Sequence, residues 1–98
     1  MAGSIITLAD GSTMTASFRR KFPNETRAVY YSSSVFSDLM AQEGCVGIRI
    51  YNALDAEGNM TNVMVGVDEH GDDLIQGKVY DTGSRCPVDC SSTNSLNS

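Results

Sequence analysis

Three cysteines and one histidine are the side chains of this 98-residue chain most suited to metal binding or redox chemistry. Cys86 and Cys90 are separated by three residues, whereas zinc ribbons and thioredoxin-like sites use cysteines separated by two. A metal site would also need Cys45, Asp68 or His70 to be brought to this pair by a distant loop. We therefore predict no metal and no cofactor, and we favour unbonded structural thiols. A metal site completed by these residues, and a disulfide or redox pair between Cys86 and Cys90, stay open as alternatives.

His70 lies in the acidic segment 68–73, where a solvent-exposed turn residue is the simplest interpretation. Catalysis by His70 would need a nucleophile held near it, and the sequence offers only Ser84 and Cys86, without a pattern that links them. The acidic segment lacks the ligand register and the terminal Glu of an EF-hand calcium loop. Phosphate-binding glycine loops, GxSxG, HExxH and paired-carboxylate patterns are absent from the sequence. We therefore predict no catalytic residue and no enzymatic activity.

The chain carries a net charge of −5 and has a sequence pI near 4.5. Nucleic-acid binding needs a basic patch, and the single basic cluster, 19–21, is instead typical of cations at the C-terminus of a helix. The N-terminus lacks the features of a signal peptide, and no stretch approaches the roughly 18 apolar residues of a membrane-spanning helix. We therefore predict no nucleic-acid partner, no membrane association and a cytoplasmic location, where thiols stay reduced.

Local signals predict two helices with a short extended segment between them. Thr7 begins a loose capping box and Pro23 ends the first helix, with Ser12 as an alternative start because Gly11 disfavours helix. Segment 27–31 is an extended candidate. Segment 32–34 offers an N-cap for a second helix, which Gly44 ends in the left-handed conformation.

Two alternating runs, 46–51 and 62–67, predict a β-hairpin, with its turn at 55–59 and a second, acidic turn at 68–73. Val46, Ile48 and Ile50 share one face of the first run, and Arg49 and Tyr51 share the other. Arg49 is expected to pair with a carboxylate on a neighbouring strand, or with a partner chain. The predicted core comprises Phe18, Phe36, Leu39, Ile48, Ile50, Val63, Val65 and Val67.

Three segments together resemble a group of small uncharacterised proteins from Bacteroidota. Their pattern is QEGCVGxRIY, VGVDxxGxD and a terminal CPxxC-like element, which correspond here to 42–51, 65–73 and 86–90, although the last has CxxxC spacing. The resemblance covers most of the chain from the second helix onward. It implies a bacterial, cytoplasmic protein in which Cys45 and the C-terminal cysteines belong to one design, and it implies no activity.

These observations predict an α+β domain over 1–85, with two helices packed on a small, mainly antiparallel sheet built around the hairpin, and an irregular Cys-containing polar tail over 86–98. The working function is a non-enzymatic structural protein that self-assembles into a homo-oligomer or filament, because small sheets leave edges that template association. Arg49, Tyr51, Cys86 and Cys90 are the predicted interface residues. One alternative is an acidic binding module or inhibitor of a host or phage protein, and another is a Cys-based metal or redox protein.

Overall fold

The computed structural model describes residues 2–97 and has the predicted α+β class, with two helices and two small antiparallel sheets over these residues. One sheet has the strand order β2-β3-β4 and the other pairs β1 with β5. In chain order the elements are α1 (Leu8–Lys21), β1 (Ala28–Tyr30), α2 (Ser33–Met40), β2 (Gly47–Leu54), β3 (Met60–Val67), β4 (Val79–Tyr80) and β5 (Ser84–Cys86).

The bounds of α1 follow from local chemistry, as the sequence predicts. The Thr7 hydroxyl accepts a hydrogen bond from the Asp10 backbone N–H at 3.0 Å, which satisfies one of the free donors of the first turn. The helix ends at Lys21, just before Pro23, and the Phe22 N–H closes it by donating to the Phe18 carbonyl at 2.8 Å. Gly11 therefore lies inside the helix, and the start after Thr7 is the one that forms.

The predicted hairpin is confirmed. β2 and β3 pair antiparallel from Gly47 opposite Val67 to Leu54 opposite Met60, and β4 adds a short third strand beside β3. In the connecting turn the Asp55 carboxylate accepts hydrogen bonds from two backbone N–H groups, at Glu57 and Asn59, each at 2.9 Å. Gly58 takes a φ of +83°, which explains a glycine at that point.

Helix α2 packs against β2 and β3 through a buried contact. Leu39 of the helix and Met64 of β3 are fully buried, and Gly66 leaves room for the segment that follows α2. A Cβ atom at Gly66 would lie 2.9 Å from both Gln42 Nε2 and Cys45 Sγ, so a larger residue there would displace the segment. Gln42 also donates to the Leu39 carbonyl at 3.0 Å and accepts from the Lys78 N–H at 2.8 Å. This residue thereby connects the helix to the segment before β4.

The predicted core is only partly correct, because the strand register splits it between two faces. Arg49 lies opposite Val65, so the odd-numbered valines of β3 share the face of Arg49, whereas Ile50 lies opposite Met64 on the other face. Two predicted core residues, Phe36 and Ile50, are exposed, and four (Phe18, Ile48, Val63 and Val67) are half-buried. Over residues 2–97 the buried apolar side chains are Leu39, Met64, Val65 and Cys86.

The second sheet joins the two ends of the chain. β1 pairs with β5 so that Ala28 lies opposite Cys86, and residues 91–97 then return to α1 as an irregular segment. This returning segment makes polar contacts with α1: the Ser12 hydroxyl donates to the Ser95 hydroxyl at 2.7 Å, and Arg19 donates to the Leu96 carbonyl at 2.6 Å. The Leu96 side chain lies beside Gly11 of the same helix. No residue of α1 is buried. The molecule is correspondingly open, with a radius of gyration of 15.0 Å, against about 13 Å for a compact domain of this length.

Candidate self-association surface

Cys86 and Cys90 form a disulfide, which corrects the preferred interpretation of unbonded thiols and selects one of the alternatives left open. The physical reason is a turn after β5, in which the Asp89 N–H donates to the Arg85 carbonyl at 2.9 Å. This turn brings the two Cα atoms to 4.8 Å, within the range that a disulfide spans. Cys86 is buried and Cys90 is exposed.

The structure does not bring the other three metal-ligand candidates, Cys45, Asp68 and His70, into a metal site with this pair. Cys45 is a half-buried thiol that donates to the Gly47 carbonyl at 3.2 Å. His70 is exposed in the acidic turn, and its Nε2 lies 3.7 Å from a Glu69 carboxylate oxygen. Over residues 2–97, no group of three or more His, Cys, Asp or Glu side chains is placed to hold a metal ion.

Arg49 and Tyr51, two of the predicted interface residues, bind a single carboxylate. Arg49 lies 2.5 Å from Asp73 Oδ1, and the Tyr51 hydroxyl donates to Asp73 Oδ2. The Tyr51 hydrogen bond, followed by the Arg49 interaction, lowers the pKa of Asp73 below its ordinary value. Arg49 therefore pairs with a carboxylate of this chain, although Asp73 lies between β3 and β4 and not in a strand. The interface role of Arg49 and Tyr51 stays a prediction.

The position of Asp73 determines the direction in which the Arg49 side chain extends from β2. Asp73 bridges to Val67 on the side of β3 away from β2. The interaction therefore draws the Arg49 side chain inward across the sheet. Charged side chains commonly guard an exposed strand edge, but this arginine is directed away from the outer edge of β2.

A second cluster of the same composition connects α2 to β4. Lys78 Nζ lies 2.7 Å from Asp38 Oδ1, and the Tyr80 hydroxyl donates to the other carboxylate oxygen. The hydrogen bond from Lys78 is the main cause of the lowered pKa of Asp38, followed by that from Tyr80. In each cluster one carboxylate binds a cation and a tyrosine hydroxyl of the same chain, so we assign both clusters a structural role.

The outer edge of β2 carries a row of exposed apolar side chains, which we call the β2 stripe and define as Val46, Ile50 and Leu54. They are 62%, 55% and 68% exposed. Ile50 and Leu54 are spaced four residues apart within the strand and project from the same face of the sheet. Val46 comes just before the strand, where its N–H donates to the Val67 carbonyl at 2.8 Å. β2 is the terminal strand of its sheet, so alternate N–H and C=O groups on its outer side have no strand partner within residues 2–97.

Sequence reasoning did not find this stripe. The alternation of apolar residues over 46–51 was visible, but Ile50 was assigned to the core and Val46 and Leu54 were not singled out. Both faces of the hairpin carry apolar residues. The sequence pattern does not indicate where on the hairpin α2 packs.

Comparison of the chain with protein-family models, with curated proteins and with solved structures gave no match. The resemblance to Bacteroidota proteins therefore stays a prediction. Among the helices of residues 2–97, none combines the length and the apolar character that crossing a bilayer requires.

Proposed function

We propose that this chain is a non-enzymatic structural protein that associates with copies of itself through the outer edge of β2. The observation that carries the proposal is the amount of surface that the fold leaves uncovered. The accessible area is 7174 Å² for a mass of 10.5 kDa, whereas a folded monomer of this mass exposes about 5,400 Å². The difference, about 1,700 Å², exceeds the roughly 800 Å² that each partner contributes to a standard protein interface.

The nature of the extra surface supports association. Large apolar side chains are exposed along the β2 stripe, and also on both helices, at Leu8, Met14, Phe36 and Met40. Contiguous exposed apolar surface is typical of interaction sites. The stripe also lies beside backbone N–H and C=O groups that have no strand partner. One added strand would therefore cover the apolar side chains and bond these backbone groups.

A small acidic binding module is the second candidate, and the acidic turn at 68–72 favours it. Glu69 and Asp72 are exposed there, and a basic surface on another protein would complement them. The two proposals differ in what purified protein does alone. A self-associating chain forms an oligomer without any additional component, and a module for another protein stays a monomer.

The cytoplasmic location belongs to the same proposal, and the disulfide makes it testable. Cytosolic thiols are held reduced by glutathione and thioredoxin. Trapping thiols by alkylation in intact cells, followed by mass spectrometry of the Cys86–Cys90 peptide, separates the alternatives. A reduced pair supports the cytoplasm, and an oxidised pair supports an oxidising compartment.

The experiment that tests self-association is a measurement of mass in solution by light scattering after size-exclusion chromatography, over a wide range of protein concentration. We expect a mass that rises with concentration from 10.5 kDa to at least twice that value. A mass of one chain at every concentration, including the highest soluble one, contradicts the proposal.

A further inference from the structure

We propose that the Cys86–Cys90 disulfide is a redox-sensitive latch that holds the returning segment, residues 91–97, on α1. Reduction of the disulfide releases the segment and uncovers the part of α1 beneath it. The latch goes beyond the proposed function, because it lies on α1 and the second sheet and not at the β2 edge. Three features of the chain support it: the unequal exposure of the two cysteines, the place of the disulfide at the start of the segment, and the exposed contacts of the segment with α1.

The two cysteines differ in how easily a reductant reaches them. Cys86 is 4% exposed within β5, where its carbonyl accepts a hydrogen bond from the Arg27 N–H at 2.7 Å. Cys90 is exposed after the turn that follows β5. Reduction begins when a thiolate attacks one sulfur of the disulfide, and its rate depends on access to that sulfur. Attack is therefore directed to Cys90.

The reductant that fits this geometry is a dithiol, the class of compound that keeps thiols reduced in the cytosol. One of its thiolates attacks Sγ of Cys90, the bond between the two protein sulfurs breaks, and Cys86 leaves as a thiolate that takes up a proton. The second thiol of the reductant then attacks the mixed disulfide, so that a disulfide forms within the reductant and Cys90 leaves and takes up a second proton. The chain thereby gains two electrons and two protons.

The disulfide determines where the returning segment starts. Because the Cα atoms of Cys86 and Cys90 are 4.8 Å apart, the segment starts beside β5, which is paired with β1. Six residues of chain then lead from Cys90 to Leu96 on α1. After reduction the tethered residue is Cys86, ten residues before Leu96, and the turn keeps the hydrogen bond from the Asp89 N–H to the Arg85 carbonyl but loses its covalent link. Ordering this longer tether costs more conformational entropy, so docking of the segment weakens.

The contacts that hold the segment on α1 are open to solvent. The hydrogen bonds from Ser12 to Ser95 and from Arg19 to the Leu96 carbonyl are both exposed. The Leu96 side chain lies beside Gly11, yet the residue stays 44% exposed. Segments with exposed hydrogen bonds and little apolar burial open locally at low cost in free energy. Docking of this segment is therefore sensitive to the state of the disulfide.

The asparagine side chains of the segment shape it without tying it to α1. Asn94 Oδ1 accepts a hydrogen bond from the Leu96 N–H at 2.8 Å, and Asn97 Oδ1 accepts one from the Asn94 N–H at 2.9 Å. The Asn97 carbonyl reaches outside the segment, to Arg27, but at 3.4 Å, which is long for a hydrogen bond. These bonds therefore add little to docking.

Release of the segment changes the apolar surface of α1. Met14, Thr15 and Phe18 line a cleft of about 220 Å³ together with Leu96. With the segment in place Phe18 is half-buried and Met14 is 65% exposed. When Leu96 leaves, the cleft loses the wall that this residue forms, and the apolar side chains of α1 gain exposure. The reduced chain thus presents an apolar patch that the oxidised chain partly covers.

Nuclear magnetic resonance of the full chain tests the latch, with Cys45→Ser as background so that no other thiol responds. Leu96 Cδ2 lies 3.6 Å from the position that a Cβ atom would take at Gly11, so a nuclear Overhauser effect between the Leu96 methyl and Gly11 α protons reports docking. Spectra are recorded for the oxidised chain, after reduction with dithiothreitol, and after reoxidation with glutathione disulfide. Alkylation followed by mass spectrometry measures the reduced fraction. The control is Cys86→Ser with Cys90→Ser in the same background, which should match the reduced chain and should not respond to dithiothreitol.

We expect reduction to lower the ratio of docked to released segment by up to about 30-fold, the factor that opening a five-residue loop gives in the chain-entropy model, and reoxidation to restore it. The chemical shifts of the Leu96 methyl groups give this ratio, with a free peptide of residues 91–97 as the released reference. The signals of β2 and β3 should stay unchanged. The same ratio before and after complete reduction would overturn the latch. Loss of the β2 and β3 signals together with docking would also overturn it, because the disulfide would then support the whole fold.

Discussion

In the half of the molecule formed by α2, β2, β3 and β4, three apolar side chains are buried: Leu39, Met64 and Val65. In the half formed by α1, β1, β5 and the returning segment, only Cys86 is buried, and it belongs to a disulfide. Polar contacts such as the Tyr31 hydroxyl donating to the Asn62 carbonyl at 2.9 Å join the halves. The first half is therefore stabilised mainly by packing, and the second by hydrogen bonds and one covalent link.

The difference shows how a chain this small distributes its stability. Apolar burial is the largest favourable term in folding, and here it is concentrated in α2 and the sheet that it packs against. The terminal half leaves its apolar residues exposed or half-buried and depends more on hydrogen bonds and the disulfide. Substitutions that act on packing should therefore have large effects in the first half and small effects in the second.

The largest expected effect is that of Leu39→Ala. Leu39 has no exposed surface, so truncation leaves a cavity and should lower the free energy of unfolding by about 2–5 kcal/mol. The same substitution at Leu8, which is 63% exposed on α1, serves as the control and should change it little. Urea denaturation of both variants measures the difference, and equal losses would contradict the division between the halves.

Removal of the disulfide should have the next largest effect and should be confined to the terminal half. Closing a five-residue loop stabilises by about 2 kcal/mol in the chain-entropy model, so Cys86→Ser with Cys90→Ser should lose about that amount. Hydrogen exchange should show faster exchange in β1 and β5 and unchanged protection in β2 and β3. Uniformly faster exchange across both sheets would mean that the disulfide supports the whole fold.

The helix caps give a smaller contrast between the two halves. Thr7→Ala removes the hydroxyl that accepts from the Asp10 N–H and should cost about 1 kcal/mol. Ser32 occupies the corresponding position before α2 but its side chain makes no capping hydrogen bond, so Ser32→Ala should cost much less. Thermal unfolding followed by circular dichroism compares the two variants. A larger loss of stability in Ser32→Ala than in Thr7→Ala would contradict the assignment of Thr7 as the stabilising cap.

Acid should act on the packed half, because both carboxylate clusters lie there. The pKa of Asp73 is lowered mainly by the Tyr51 hydrogen bond, and that of Asp38 mainly by Lys78. Groups with a lowered folded-state pKa stabilise the fold above the unfolded pKa of about 4, and this stabilisation disappears as the pH falls through the folded pKa. The melting temperature should therefore decrease as the pH falls below about 4. It should decrease less steeply in Asp73→Asn. An identical pH profile for this variant would show that the cluster contributes nothing.

The elements that the sequence predicts correctly are those determined by neighbouring residues. Thr7 and Pro23 bound α1, and the turn 55–59 follows from Asp55 and Gly58. The hairpin itself follows from alternation over two adjacent runs. In the candidate site, the same reasoning predicted that Arg49 would find a carboxylate.

What the sequence did not predict depends on residues far apart in the chain. Pairing of β1 with β5 requires the two ends to meet, and the Cys86–Cys90 disulfide depends on the turn that follows that pairing. The β2 stripe was missed because apolar residues occupy both faces of the hairpin. Only the register and the position of α2 decide which of them stay exposed.

Sedimentation equilibrium of the native chain beside Ile50→Lys and Val79→Lys tests the central claim most directly. Ile50 and Val79 are 55% and 56% exposed on opposite edge strands of the same sheet, so the two substitutions differ mainly in which edge they charge. We predict self-association of the native chain and of Val79→Lys, and a monomer for Ile50→Lys, where the ammonium group would lie on the proposed interface. A native chain that stays monomeric, or an Ile50→Lys chain that dimerises as tightly as the native one, would contradict the account.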